Sequence, residues 1–348
     1  MFDTHAQYTV ALLHADAVSP LEQHEFEVAG VAQSAEEFRA QSMASGIMLS
    51  SHALGPALEV PLLPSQEAAD LLGKLRRAEA FPLGGGRWRC FPTRELHETD
   101  DQELWRDSGD GLPLWKGESF DQFLPHGAGA RLCPMTDLVR ERTMRPKAGS
   151  ESSLASKIPI TERVTAQKRE AQQARVAFRD ATNRTNSRTV LACLVPPGVL
   201  LVNSAPYLVF MDDRDVDRAC CLGLMNSLPF DWQARRFAES HVSYFILEGL
   251  RVPALDEETN KTIAVLAARL SAWDERFADF AAATGVEVGP LTPDEREALR
   301  AEIDARVAHA WGLDTADLET IFADFTLAAV PEPYRQRVRD RFAELAGE

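Results

Sequence analysis

No run of eighteen or more apolar residues occurs in this chain of 348 residues, so the sequence offers no membrane-spanning helix. The opening MFDTHAQYTVALLHADAV has no basic leading segment and carries Asp3 early, so a secretory signal is not expected. Cysteine is sparse and odd in number. Cys90, Cys133, Cys193, Cys220 and Cys221 are scattered, with two adjacent, which argues against a disulfide framework and for a reducing, cytoplasmic setting. No Cys-x-x-Cys pair or Cys/His cluster has zinc spacing, and the eight histidines show no ligand spacing. His241 alone has cationic and aromatic neighbours, and a buried or structural role suits it better than catalysis.

Catalytic signatures are missing too. Leu83-Gly-Gly-Gly-Arg marks a turn, but no Gly-Lys-Ser/Thr follows to cradle a phosphate. No glycine-rich loop fits a nucleotide or S-adenosylmethionine pocket. No Asn/Asp-Pro-Pro-Tyr/Phe tetrapeptide is present to hydrogen-bond and stack a flipped base, and Leu228-Pro229-Phe230 lacks the acceptor residue. No HExxH, GxSxG or EF-hand loop occurs. Pro293-Asp294 could open a metal-nuclease motif, but no Glu-x-Lys lies at a workable distance, and a helix cap explains it better. No catalytic, cofactor-binding or metal-binding residue is therefore assigned.

What is present is a globular composition, 45% hydrophobic, long enough for two or three units with a sizeable core. The net charge of −16 argues against nucleic acid if taken alone, but it is unevenly spread. Residues 131–190 hold thirteen Lys and Arg against six Asp and Glu, a net of +7; residues 252–348 hold ten against twenty, a net of −10. Phosphate binding needs local rather than global positive potential, because salt screens charges beyond about 8 Å. The basic middle suits either a phosphate footprint or a solvated helix face.

Along the chain, Tyr8–Leu13 and the FEVAGV run near residues 26–31 are expected as strands. Ser34 with Glu37 forms a capping box that opens a helix. Leu58–Pro64 is extended. Ser65 starts a second helix with apolar positions at Ala69, Leu71, Leu72 and Leu75. Residues 88–134 mix strands with Pro/Gly turns, and 145–158 form a Ser-rich polar loop. Ala171–Ala181 suits helix or strand. Val190–Val195 and Val199–Val202 are β-rich around the turn Pro196-Pro197-Gly198. Asp213–Asn226 is helical, and SYFILEGLRVP is strand-like. Everything after Pro253 is helical: Glu257–Ala283 as one amphipathic segment, then a helix capped by Thr292-Pro-Asp-Glu and stopped by Gly312, then one from Asp314 through Phe325. Trp273, Phe277 and Phe280 are spaced as core residues.

Several segments, in order, resemble the C-terminal half of bacterial adenine-N6 DNA methyltransferases of restriction-modification systems, including fused (type IIG) restriction-methylation enzymes that defend against phage. They are MFDTHAQYTVALL; Leu112-Pro-Leu-Trp-Lys-Gly-Glu-Ser-Phe; Phe178-Arg-Asp-Ala-Thr-Asn-Arg-Thr-Asn-Ser-Arg-Thr; Leu222–Pro253, with its Asn226-Ser227 and Arg235-Arg236; and Glu302-Ile-Asp-Ala-Arg-Val-Ala-His-Ala-Trp-Gly-Leu. No single motif is specific; their order over nearly the whole chain carries the likeness. The family's cofactor and catalytic motifs lie upstream of the resembling region and are missing here. The resemblance thus implies a split subunit or a fragment that does not methylate DNA alone. S-adenosylmethionine would sit on a catalytic partner. The implied layout is the end of a methyltransferase-like domain with linker helices over 1–80, an α/β (α+β) target-recognition domain over 81–253, and an α-helical tail over 254–348. The implied function is sequence-specific recognition of double-stranded DNA for a methyltransferase catalytic subunit. The alternative is a protein–protein scaffold in a defence complex, without DNA contact.

Arginine can pair bidentately with guanine and asparagine with adenine, which makes Asn183, Arg184 and Asn186 candidates for base contact. Arg188 and Thr189 abut a strand, where an internal carboxylate would suit Arg188. Arg140, Arg142, Arg145 and Lys147 adjoin the polar loop and suit either DNA readout or solvated surface. Lys116 suits a phosphate contact or a snorkelling position beside a buried Trp115. Asn226-Ser227 suits a helix end, and Arg235 and Arg236 suit phosphate.

Overall fold

A computed structural model of the chain describes residues 25–30, 32, 34–43, 46–50, 53–54, 59–77, 79–80, 88–127, 131–144, 153–182 and 186–347. The Tyr8–Leu13 strand and the Leu83–Arg87 turn lie outside these residues. Strand β1 (Glu25–Val28) pairs antiparallel with β2 (Ile47–Ser50), and α1 (Ala35–Met43) lies between them in sequence. The Ser34 hydroxyl accepts the Glu37 N–H at 3.1 Å, which fixes where α1 begins. Helix α2 (Gln66–Arg76) starts where the Ser65 hydroxyl accepts the Ala68 N–H, and Ala69, Leu71, Leu72 and Leu75 are all buried. After β3 (Glu79–Ala80), the stretch from Trp88 alternates short strands with tight turns. These are β4 (Cys90–Thr93), β5 (Leu112–Trp115), β6 (Phe120–Asp121), β7 (Leu124–Pro125) and β8 (Leu132–Cys133). Helices α3 (Asp137–Met144) and α4 (Ile160–Glu170) follow, with a 3₁₀ turn at Ala155–Lys157 between them.

Of the two conformations open to 171–181, β9 (Arg175–Phe178) is a strand, buried at every residue. Next come β10 (Ala192–Val195) and β11 (Leu200–Leu201), on either side of Pro196-Pro197-Gly198, where Gly198 takes φ +78°. Strand β12 (Tyr207–Phe210), α5 (Asp215–Met225) and α6 (Leu228–Ala234) complete the centre. The strand expected at SYFIL is instead α7 (Tyr244–Gly249), followed by the short β13 (Arg251–Val252). A short apolar run does not distinguish helix from strand, and the Ser243 hydroxyl, accepting the Ile246 N–H, supplies a helix cap.

The central sheet has the order β10-β9-β12-β4, antiparallel throughout. Its alternation explains its apolar strands. Val176, Phe178, Ala192, Leu194, Leu208 and Phe210 join the core under α5, while Ala177, Cys193, Val195, Tyr207 and Val209 join a second core with Leu154, Ile158 and Ala166 beside α4. A sheet covered on both faces has no polar side, so its strands are continuous hydrophobic runs. A smaller sheet, β11-β5-β8, adjoins it.

An α+β region is thus followed by a helical tail. The tail begins with α8 (Glu257–Ser271), but the single helix expected through Ala283 is interrupted. The Asp274 carboxylate caps a 3₁₀ turn at Glu275–Phe277, and α9 (Ala278–Thr284) follows. Helix α10 (Pro293–Ala310) carries the predicted capping box. Thr292 Oγ1 accepts the Glu295 N–H at 3.3 Å, and Glu295 Oε2 accepts the Thr292 N–H at 2.8 Å. Gly312, at φ +67°, ends it. Helices α11 (Thr315–Ala323) and α12 (Glu332–Gly347) close the chain, the latter not singled out from sequence. The tail shares its cores with what precedes it: α8 packs on α5, and Ile47, Leu71 and Leu75 share a cluster with Trp232, Ile321, Phe322 and Val338.

Candidate nucleic-acid interface

The candidate residues fall in three places. Lys116 follows the buried Trp115 at the end of β5. Its ammonium pairs with Glu98 Oε2 at 2.8 Å and lies 5.5 Å from the Trp105 ring centroid. Burial alone would raise the Glu98 carboxyl. Hydrogen bonds from Lys116 and Ser204 outweigh that and hold it below the ordinary value. Lys116 is therefore held along the protein surface, as a snorkelling lysine is.

The second place is the α3–α4 region, where the two helices touch and α4 packs over β12. Arg142 turns back into the protein, pairing with the buried Asp101 at 2.5 Å and with Glu103 at 3.1 Å. Arg140 is exposed and enters no ion pair among the described residues. Lys157 and Lys168, which sequence reasoning did not single out, share that state. Their signal was present in the basic balance of 131–190, but charge alone does not say which cations lack a carboxylate. Arg145 and Lys147 lie outside the described residues.

The third place is the interior beneath α6. Arg235 and Arg236, expected to face phosphate, are only 5% and 4% exposed. Arg235 Nε donates to Asp231 Oδ2 at 3.1 Å, and its other nitrogens donate to the carbonyls of Asp324 and Asn186 at 3.1 and 2.7 Å. Its guanidinium carbon lies 4.0 Å from the Phe325 ring centroid. Arg236 pairs with Asp324, donates to Leu62 O at 3.1 Å and stacks on Trp232 at 4.5 Å. A phosphate could reach either group only by breaking these bonds. These two arginines instead tie α6 to the end of α11 and to the segment before α2. Asn186 is exposed, and its carbonyl is the acceptor for Arg235. Asn183 and Arg184 lie outside the described residues.

Asn226 sits at the end of α5. Its side chain accepts the Ala192 N–H at 3.1 Å and donates to the Ala192 carbonyl at 2.9 Å, so it ties the helix to β10. His241 stands at the surface with Nδ1 3.1 Å from Asp180 Oδ2. Among the described residues no group of His, Cys, Asp and Glu could hold a metal ion, and no helix is long and apolar enough to cross a membrane. The chain matches no protein-family model and no curated protein.

Proposed function

We propose that this chain recognises double-stranded DNA sequence-specifically within an adenine-N6 methyltransferase or restriction-modification system. Base flipping and S-adenosylmethionine would belong to a catalytic partner. The ordered sequence resemblances support this reading, and one structural observation carries it. Arg140, Lys157 and Lys168 are exposed and free of ion pairs among the described residues in a chain of net charge −16, in the same region as its basic segment. Cations without a carboxylate partner among the described residues of an acidic protein suit an anionic partner, and a duplex presents phosphates at regular spacing. In this reading Arg140, Lys157 and Lys168 contact phosphate, Asn186 borders the base-reading segment, and Arg235 and Arg236 shape the scaffold.

The test is fluorescence anisotropy on a duplex pool at two salt concentrations, for the chain alone and with a methyltransferase subunit encoded beside it. Binding should weaken steeply with salt. Arg140→Glu and Lys168→Glu should each lower affinity across sequences and flatten the salt slope by about one unit per lost phosphate contact. No binding at low salt with the subunit present would sink the DNA reading. Retained association with that subunit would then favour a scaffold.

A further inference from the structure

Helix α4 is held to the fold by one face and offers the other to solvent. Ala166 joins the core with Tyr207 and Val209, and Gln167 Nε2 donates to Thr93 Oγ1 at 3.3 Å. Arg169 donates to Phe210 O, and the fully buried Glu170 accepts from Arg218 Nη2 at 2.5 Å. These ties run to β4, β12 and α5, so the helix cannot turn about its axis without breaking them. On the outer face, Ile160 is 51% exposed, Thr161, Thr165 and Lys168 are exposed, and Val164 is half-buried. Thr161, Thr165 and Lys168 stand at i, i+4 and i+7 and share that face, with Ile160 and Val164 along its side. The one exposed carboxylate of the helix, Glu162, lies 3.9 Å from Arg89.

Helix stability does not explain that face. A helix surface that meets only water is best filled with good helix formers such as Ala, Glu and Lys, and β-branched side chains weaken it. Ile160, Thr161, Val164 and Thr165 are all β-branched. Stiff side chains of this kind do lose little freedom on contact with a partner. Two further observations say what the partner carries. Lys157, just before the helix, and Lys168, in its last turn, enter no ion pair among the described residues, although the chain stands at −16. Pro159 is the N-cap and gives the first amides no side-chain acceptor. Cations at both ends and uncapped amides at one suit flanking phosphates. Between them, Thr165 Oγ1 donates to Thr161 O at 2.9 Å. Its proton is engaged within the helix, so toward a partner this hydroxyl can only accept. In the major groove the donors are the N6 amine of adenine and the N4 amine of cytosine, and methyl groups meet the thymine methyl.

We propose that α4 is the helix that enters the major groove, an inference that rests on the DNA reading. Thr165 accepts from an adenine or cytosine amine, Thr161 and Val164 line the neighbouring base edges, and Lys157 and Lys168 contact the phosphates on either side. Its eleven residues give about 16 Å of helix, and the major groove admits one α-helix.

Selection from a random duplex library by the full chain, with the methyltransferase subunit encoded beside it, yields the preferred site. Anisotropy on that site and its single-base substitutions then measures the preference. Wild type should favour an amine-bearing base at one position by about tenfold or more over a base without one. Thr165→Val keeps the shape and removes the oxygen. It should abolish that preference and leave the salt slope and the ligand-free Tm as in wild type, because valine and threonine form helix about equally well. Thr161→Ala should relax the preference at a neighbouring position with a Tm no lower than wild type, because alanine is the better helix former. Lys157→Gln should do the reverse: weaker binding to every sequence, a salt slope lower by about one, and an unchanged base preference. Threonines with a purely structural role would leave the preference as it is. Wild-type binding whose preference neither threonine variant moves overturns this proposal alone. No binding by wild type at low salt overturns the DNA reading and this proposal together. Threonine variants that lose the methyltransferase subunit but keep the base preference would give the face to that protein, and overturn the proposal as well.

Discussion

Buried ions mark where single side chains constrain this fold. Arg175 sits on β9, fully buried. It donates to Glu95 Oε2 at 3.0 Å and to Val199 O at 2.9 Å, with its guanidinium 4.9 Å from the Tyr207 ring centroid. Glu95 in turn accepts the Leu201 N–H at 2.5 Å, so the pair links the central sheet to β11. Burial pushes the Glu95 carboxyl up, and Arg175 opposes that. Breaking the pair from one side leaves a buried charge, whereas replacing both partners need not. Arg175→Met should therefore cost about 3–5 kcal/mol of unfolding free energy. Adding Glu95→Gln, which keeps an acceptor for Leu201, should recover at least half of the loss. Urea unfolding of the two variants measures this, and equal losses in both would refute the account.

At the scale of elements, α5 and α8 pack tightly where Gly223 faces α8. A Cβ built on Gly223 would meet Ile263 Cγ2 at 2.8 Å and Ala267 Cβ at 3.2 Å. Alanine would raise helix propensity by about 1 kcal/mol, but overpacking costs about 1–3 kcal/mol. Gly223→Ala should thus destabilise on balance, and Ile263→Leu, which removes the offending branch, should restore part of the loss. Stabilisation by Gly223→Ala alone would show that the helices can move apart freely. Elements with local causes were legible in the sequence. The caps at Ser34, Ser65 and Thr292, and the stop at Gly312, depend on residues within four positions of each other. So do the apolar strands on either side of Pro196-Pro197-Gly198. Two segments took a form other than the expected one, because apolar spacing does not record capping competition. Ser243 turned SYFIL into a helix, and Asp274 divided the segment after Glu257. The candidate site was less legible still. Whether an arginine faces water depends on partners distant in sequence: Arg236 is drawn inside by Asp324 and Leu62, and Arg142 by Asp101.

Over the whole molecule, carboxylates divide into two sets that respond oppositely to acid. In the interior, burial raises Glu95, Glu170 and Asp304. A raised folded value means the proton binds the fold more tightly. Their contribution is therefore fullest below the unfolded carboxylate values and is lost as pH rises through the raised ones. In the tail, Glu295 is lowered by the Thr292 backbone N–H, Asp314 by that of Asp317, and Asp274 by the Arg276 side chain. Their contribution is present above the unfolded values of 3.8 for Asp and 4.5 for Glu, and is lost as pH falls through the lowered ones. Acidification also relieves the repulsion of a chain at −16, so within the tail the caps are acid-sensitive parts. Below the unfolded carboxylate range, the first amides of α10 and α11 and of the turn after Asp274 should lose hydrogen-exchange protection. The amides of β9 and β10, enclosed between two apolar cores, should keep theirs. Exchange followed by mass spectrometry from neutral pH downward, corrected for intrinsic rates, reads both sets at once. Loss of protection in the central sheet before the tail caps would show that the buried carboxylates, not the caps, govern acid stability.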